Sequence, residues 1–144
     1  MTKNSVYKEY LNTLPGPENI TRQELSNGII VLTKSNFHSP TLSIKGYLQS
    51  GSLFDPEDKL GLSYMVAFGL MTGTARHDFQ SLYNEIESIG ANLHFSAGTL
   101  ATSFSAHCLS EDLTLMMRLI SECLREPVFP KKDFYRQKNQ LLTA

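Results

Sequence analysis

The residues best suited to metal or proton chemistry in this chain are its four histidines, His38, His77, His94 and His107. Two histidines grip one metal from a single helix when they lie four residues apart, because those positions share a helix face. No two of these histidines are three to five residues apart, and neither His-x-x-Glu-His nor His-Glu-x-x-His occurs anywhere in the chain. His94 and His107 fall on the polar face of a hairpin pattern, offset across its strands and without a nearby carboxylate. They read as surface histidines rather than a metal pair. Glu85 and Glu87, two apart on a helical pattern, face different ways and read as a solvated face. Cys108 and Cys123 sit among apolar neighbours and read as small buried side chains, since a disulfide framework needs more cysteines in a shorter chain. No metal or other cofactor is expected.

Composition narrows the partners. The 144 residues suffice for one domain with a core, and 41% hydrophobic with 19% charged residues is the balance of an ordinary soluble domain. The net charge is −1 and no Lys/Arg run stands out, which argues against nucleic acid. No apolar stretch approaches the ~20 residues that span a bilayer, so no membrane partner is expected. Residues 1–20 are polar and include Pro15-Gly16-Pro17, with no apolar core of a secretory signal. The expected location is cytoplasmic.

The elements that would position these side chains follow from periodicity. Residues 1–20 read as an arm, and residues 21–144 as a domain that is incomplete. Runs at 21–25 and 29–34 flank Ser26-Asn27-Gly28, a strong hairpin signal. A third strand is predicted over 41–49, after Ser39-Pro40. The run 61–71 is almost continuously apolar and too short for a membrane, which predicts a buried helix ended by Gly73-Thr74. Phe79, Leu82, Tyr83, Ile86 and Ile89 keep an amphipathic helical spacing, with Gly90 as the residue that ends it. Leu93, Phe95 and Ala97 alternate with Asn92, His94 and Ser96, and Phe104, Ala106 and Cys108 with Ser103, Ser105 and His107. That is a hairpin with one dry and one polar face. Ser110 is predicted to cap a helix whose core stripe is Leu113, Met116, Met117, Ile120 and Leu124. A last helix follows Phe129-Pro130 and runs to Ala144. The order β-β-β-α-α-β-β-α-α predicts an α+β fold, a largely antiparallel sheet with helices packed on one face.

Several of these segments together resemble the insulinase/pitrilysin/mitochondrial processing peptidase family of inverted-motif zinc metallopeptidases. They are Leu25-Ser26-Asn27-Gly28-Ile29, Gly51-Ser52, and Gly61-Leu62-Ser63 through Gly73-Thr74. Further matches are Glu85-Ile86-Glu87-Ser88-Ile89-Gly90-Ala91-Asn92, the hairpin, Leu109-Ser110-Glu111-Asp112-Leu113 and Pro127-Val128-Phe129-Pro130. The resemblance covers nearly everything after Ile20. It implies paired α+β domains that assemble into a closed chamber around unfolded peptide. It also implies that this chain is the N-terminal part of a protein about three times longer.

The family's zinc motif, His-x-x-Glu-His, lies on the helix after the Gly-Leu pair. Two of its positions hold the metal and the Glu between them works as general base. By the resemblance those positions are Tyr64, Ala67 and Phe68 here, and the distal Glu falls at Ala144, with Thr143 its neighbour. Phe offers no lone pair, Ala moves no proton, and a phenol with pKa ~10 is a poor zinc ligand near neutrality. The resemblance therefore implies an inactive member with no catalytic residues and no bound metal. Its helix would have repacked an empty site with apolar groups.

What remains is scaffold and surface. In related structures peptide adds as a strand to a sheet edge. The matching edge would be Phe95, Ser96, Ala97 and Gly98; the alternative is an ordinary hairpin with Phe95 in the core. Inactive members of this family pair with active ones, contributing chamber wall. The expected function is thus a non-catalytic subunit beside a zinc-bearing homologous peptidase, or beside a second copy of itself, with peptide as substrate. The competing expectation is a structural scaffold like the core proteins of the respiratory bc1 complex.

Overall fold

The structure, a computed structural model, describes residues 16–143. Most of the expected arm, residues 1–15, lies outside them. The chain divides into two compact units, Met1–Ser39 and Pro40–Ala144.

In the first unit, strand β1 (Thr21–Glu24) pairs antiparallel with β2 (Ile30–Thr33), from Thr21 opposite Thr33 to Glu24 opposite Ile30. The Asn-Gly turn closes as the sequence predicts. Gly28 N–H donates to the Leu25 carbonyl and Leu25 N–H to the Ile29 carbonyl, both at 2.9 Å, while the Asn27 amide oxygen accepts from Ile29 N–H at 3.2 Å.

The second unit carries a three-stranded antiparallel sheet of β3 (Thr41–Leu48), β4 (Asn92–Ala97) and β5 (Thr102–Leu109), in the order β3-β5-β4. Four helices accompany it: α1 (Leu62–Gly69), α2 (Phe79–Ser88), α3 (Leu113–Arg125) and α4 (Lys131–Thr143). Element order and α+β class are those the periodicities predict. The alternation also places the core as expected. Leu93, Phe95, Ala106 and Cys108 point from the inner sheet face against Leu82 and Ile86 of α2 and Met116, Leu119, Ile120 and Cys123 of α3. His94 and His107 lie on the outer, exposed face. His94 opposes Ser105 while His107 opposes Asn92, so the two rings are offset by one side-chain row.

Helix α2 shows its local rules clearly. Asp78 caps it, accepting from Ser81 N–H at 2.8 Å and from the Ser81 hydroxyl at 2.6 Å. The Ser81 hydroxyl and amide together hold the Asp78 carboxyl below the usual carboxylate range. Gly90 ends it with φ +62°, a value that costs Gly nothing. Gly90 N–H then reaches the Glu87 carbonyl at 2.9 Å and Ala91 N–H the Ile86 carbonyl at 3.1 Å, a Schellman motif.

Three expectations are corrected. Ser110 does not cap α3; its hydroxyl donates to the Pro40 carbonyl at 2.8 Å, tying the end of β5 to the start of β3. The α3 stripe is turned by one position: Leu113 and Met117 are exposed, and Leu119 and Cys123 are buried with Met116 and Ile120. Helix α1 is not buried all round. Ala67 and Gly69 are buried, but Leu62, Tyr64 and Val66 are 40%, 46% and 40% exposed.

Candidate functional site

Helix α1 owes its direction to a side chain outside it. The Asp55 carboxylate accepts from Gly61 N–H at 3.0 Å and from Ser63 N–H at 2.9 Å, and the Ser63 hydroxyl adds a third bond at 3.2 Å. These are donors that a helix start leaves unpaired. The helix lies against β4 and α4, and at its far end a ring of Phe129 closes over Gly69 so tightly that a Cβ there would collide with it.

The three positions that the resemblance assigns to zinc chemistry sit on this helix. Tyr64 is half-exposed, Phe68 half-buried and Ala67 buried. Ala144 lies outside the described residues, and Thr143, at the end of α4, spends its hydroxyl on the Asn139 and Gln140 carbonyls at 3.0 and 3.2 Å. This donor set does not fit a zinc ion: one phenol, one methyl and one phenyl supply no imidazole and no carboxylate. Among the described residues no group of three His, Cys, Asp or Glu side chains is placed to hold a metal.

The expected peptide edge is divided by the structure. β4 is an edge strand, paired on one side with β5. Gly98 N–H donates to the Ala101 carbonyl at 2.8 Å, and pair types alternate along an antiparallel ladder. Ser96 and His94 therefore spend their backbone groups on β5, while those of Leu93, Phe95 and Ala97 face the open side. Gly98 is not available, because its carbonyl accepts from Ser52 N–H at 3.0 Å; the Thr99 carbonyl likewise accepts from Leu53 N–H at 3.0 Å. The Phe95 ring itself is in the core, 4% exposed and paired with Phe104 at a centroid distance of 6.0 Å.

A cluster that periodicity did not single out lies between α2, α3 and the turn at residues 74–77. His77 Nδ1 is 2.8 Å from Glu122 Oε2, and His77 Nε2 is 2.9 Å from Glu85 Oε2. The second approach is a charge contact without the alignment of a hydrogen bond, and Glu85 Oε2 and Glu122 Oε1 are buried without a directed donor. The Thr74 hydroxyl accepts from the N–H groups of Arg76 and His77 and lies 3.4 Å from Glu122 Oε2. Arg118 donates to Glu85 Oε1, and Arg76 pairs with Glu126 at 3.4 Å and reaches Glu122 Oε1 at 4.0 Å. Glu85 is therefore a partnered residue and not part of a solvated face; Glu87 is exposed as expected. The only sequence signal for this cluster was a lone histidine in a turn, since its carboxylates come from distant elements. The turn also borders an open cleft of about 420 Å³ whose other walls include Phe79, Val128 and Asp133.

An antiparallel sheet with helices on one face, a capped helix after Gly61-Leu62 and an open edge strand beside it define a metallopeptidase-like α+β domain. Residues 30–144 match the family model described as Insulinase (Peptidase family M16), and the chain belongs to that family. It is 25% identical over 118 residues to the probable mitochondrial-processing peptidase subunit beta of Arabidopsis thaliana, covering 82% of this chain and 22% of that protein. It is equally 25% identical to cytochrome b-c1 complex subunit 1 of Rattus norvegicus, covering 82% of this chain and 24% of that one. The chain thus spans about a quarter of the length of these relatives. A crystal structure of a peptidase M16 inactive domain from Pseudomonas fluorescens superposes with a TM-score of 0.81 at 24% identity, over 87% of this chain and 31% of that one. No described helix is long and apolar enough to cross a membrane.

Proposed function

We propose that this chain is part of a catalytically inactive homologue of the insulinase-family zinc peptidases, a non-catalytic subunit. It contributes chamber wall and a peptide-binding surface to a separate, zinc-bearing partner. The observation that carries the reading is the content of α1: Tyr64, Ala67 and Phe68 stand at the positions the resemblance gives to the zinc motif, and none can do that work. The domain that begins at Thr21 is a scaffold kept after the chemistry was lost. The open side of β4, at Phe95 and Ala97 with Ser96 between them, supports backbone pairing with an extended peptide. Relatives that are themselves subunits, of a processing peptidase and of a respiratory complex, support a partner.

The experiment is peptide hydrolysis by a zinc-bearing homologue from the same organism, with and without the full-length protein at matched concentrations. Faster cleavage together with co-elution is the expected result. A wall acts by holding substrate in register, an effect worth several kcal/mol where geometry is tight and up to about 11 kcal/mol at its largest. A partner equally fast alone, with no co-elution, removes the subunit reading.

The likeness to cytochrome b-c1 complex subunit 1 favours a second reading, a structural scaffold subunit that handles no peptide. It predicts co-purification with a stable complex and no effect on cleavage. A cytoplasmic location is the companion proposal. Fractionation decides it, and both relatives named above carry "mitochondrial" in their names.

A further inference from the structure

Glu122 is the most deeply buried charged side chain of the described residues, 5% exposed on α3, and one of its oxygens lacks a directed donor. Carboxylates in such places need a cation, because an unpaired buried charge is among the costliest arrangements a fold can hold. The full set of charges around it can be counted. The turn supplies Arg76, α3 supplies Arg118, Glu122 and Glu126, and α2 supplies Glu85. Two guanidinium groups thus face three carboxylates. Asp78, beside His77, is already committed to Ser81, and Asp133 of α4, across the cleft, is paired with Arg136 at 2.9 Å. The Cys123 thiol next to Glu122 is pushed up by burial to about 11 and the half-buried Tyr83 phenol is also pushed up, so neither adds charge near neutrality.

His77 stands at the centre with a carboxylate oxygen within 3 Å of each ring nitrogen. A neutral imidazole has one N–H and one lone pair, so it would turn a lone pair on one carboxylate. Only the doubly protonated ring puts a positive charge between both carboxylates, setting Arg76, Arg118 and His77 against Glu85, Glu122 and Glu126. We propose that His77 is a proton-controlled clasp. As an imidazolium it joins Glu85 of α2 to Glu122 of α3, and loss of its second proton loosens α2 from α3 and from the turn at residues 74–77.

The sign follows from the charge count. The clasp is present while the ring holds both protons and is lost as rising pH removes the second one. The turn stays in place because it has backbone ties of its own: Thr74 N–H to the His77 carbonyl at 2.7 Å and Ala75 N–H to the Glu126 carbonyl at 2.9 Å. Helix α2 depends on Leu82 and Ile86 in the core and, at its outer side, on Glu85. The response should therefore be confined to α2.

The test uses the full chain labelled with ¹⁵N, following the His77 ring nitrogens and amide exchange of α2 as pH is raised from acid to alkaline, with intrinsic exchange rates divided out. Two protonated ring nitrogens at low pH are expected, with α2 protection falling about tenfold as that signature disappears. His77→Gln should give α2 protection that does not vary with pH, which subtracts the exposed His38, His94 and His107. Should His77→Gln fail to fold, the wild-type titration decides alone. Unchanged α2 protection as the ring loses its second proton overturns the proposal, as does a ring carrying a single proton throughout or a His77→Gln variant with the wild-type pH response.

Discussion

Asp55 and Ser63 form the joint that starts helix α1, with Asp55 Oδ1 accepting from the Ser63 N–H at 2.9 Å and Oδ2 from its hydroxyl at 3.2 Å. The cap comes from eight positions upstream, across the 3-10 turn Glu57–Lys59, and also holds Gly61 N–H. Asp55→Ala removes three bonds to a helix start and should cost ~1–2 kcal/mol, with Asp55→Asn costing less because its amide oxygen can still accept. Urea unfolding of the three proteins checks this. An alanine variant as stable as wild type would mean that packing against β4 and α4, not the cap, fixes α1.

Cys123 supplies a pH prediction. It is fully buried on α3, and burial first, then the neighbouring Glu122 charge, raises its pKa from 9.0 to about 11. The thiol ionises more readily in the unfolded chain than in the folded one. Its contribution to stability is therefore complete below about pH 9 and is lost as pH rises toward 11. The loss should reach ~2–3 kcal/mol. Stability measured against pH for wild type and Cys123→Ala should converge at the alkaline end. Thiol labelling gives a second readout: at pH 8, modification of Cys123 should proceed only as fast as the chain opens. Rapid labelling of the folded protein would contradict it.

How much of this was legible in the sequence depends on how far apart the causes lie. The hairpin was readable because Leu93, Phe95 and Ala97 sit two apart and face one way, so a strand carries its own register with it. The stripe of α3 was not. Leu113, Leu115, Met116, Met117, Leu119, Ile120, Cys123 and Leu124 form an apolar set wide enough to fit two helical faces one position apart. Only packing against Ala106 and Cys108 of β5 chooses between them. The charged cluster was invisible for a related reason. His77 and Glu122 are 45 positions apart, and nothing local marks Glu122 as buried. Ser110 looks like a cap because serine precedes an acidic pair, yet the 3-10 turn Ser110–Asp112 stands between it and the first turn of α3, so its oxygen accepts no helix N–H and its hydroxyl donates to the Pro40 carbonyl. The zinc-motif positions were readable only through the family resemblance, since Tyr64, Ala67 and Phe68 carry no signal of their own.

Restoring the motif should not restore chemistry. Tyr64→His, Ala67→Glu and Phe68→His would place a metal-binding pattern on α1, but Ala67 is 3% exposed and the resemblance puts Ala144 where the distal carboxylate belongs. Each buried polar group left unpaired costs ~1–3 kcal/mol. The triple variant should be less stable than wild type and should not cut peptide. Chelator-sensitive hydrolysis by the purified variant would refute this, and would locate a fourth ligand elsewhere in the chain.

The chain itself should self-associate. Leu53, Phe54 and Leu100 are 64%, 61% and 64% exposed, and they gather where the turn Ser52–Phe54 bonds to the hairpin tip through Leu53 N–H and the Thr99 carbonyl. The same turn packs on α1, whose Leu62, Tyr64 and Val66 are also exposed. Exposed apolar groups gathered around one turn favour contact with a partner. The neighbouring edge of β4 carries none of the usual guards, no lysine, proline or glycine from Asn92 to Ala97. Two variants separate these causes. Leu53→Asp with Leu100→Lys disrupts the patch and leaves the edge alone. Ala97→Pro removes an N–H that faces the open side, so it blunts the edge without costing β4 a bond to β5. Size-exclusion with light scattering should show wild type as dimers or larger at tens of micromolar, and the patch variant should weaken that association at least tenfold. A stronger effect from Ala97→Pro would assign the contact to strand pairing, the same pairing proposed for peptide. A wild-type chain that stays monomeric across that concentration range would mean that neither surface seeks a partner.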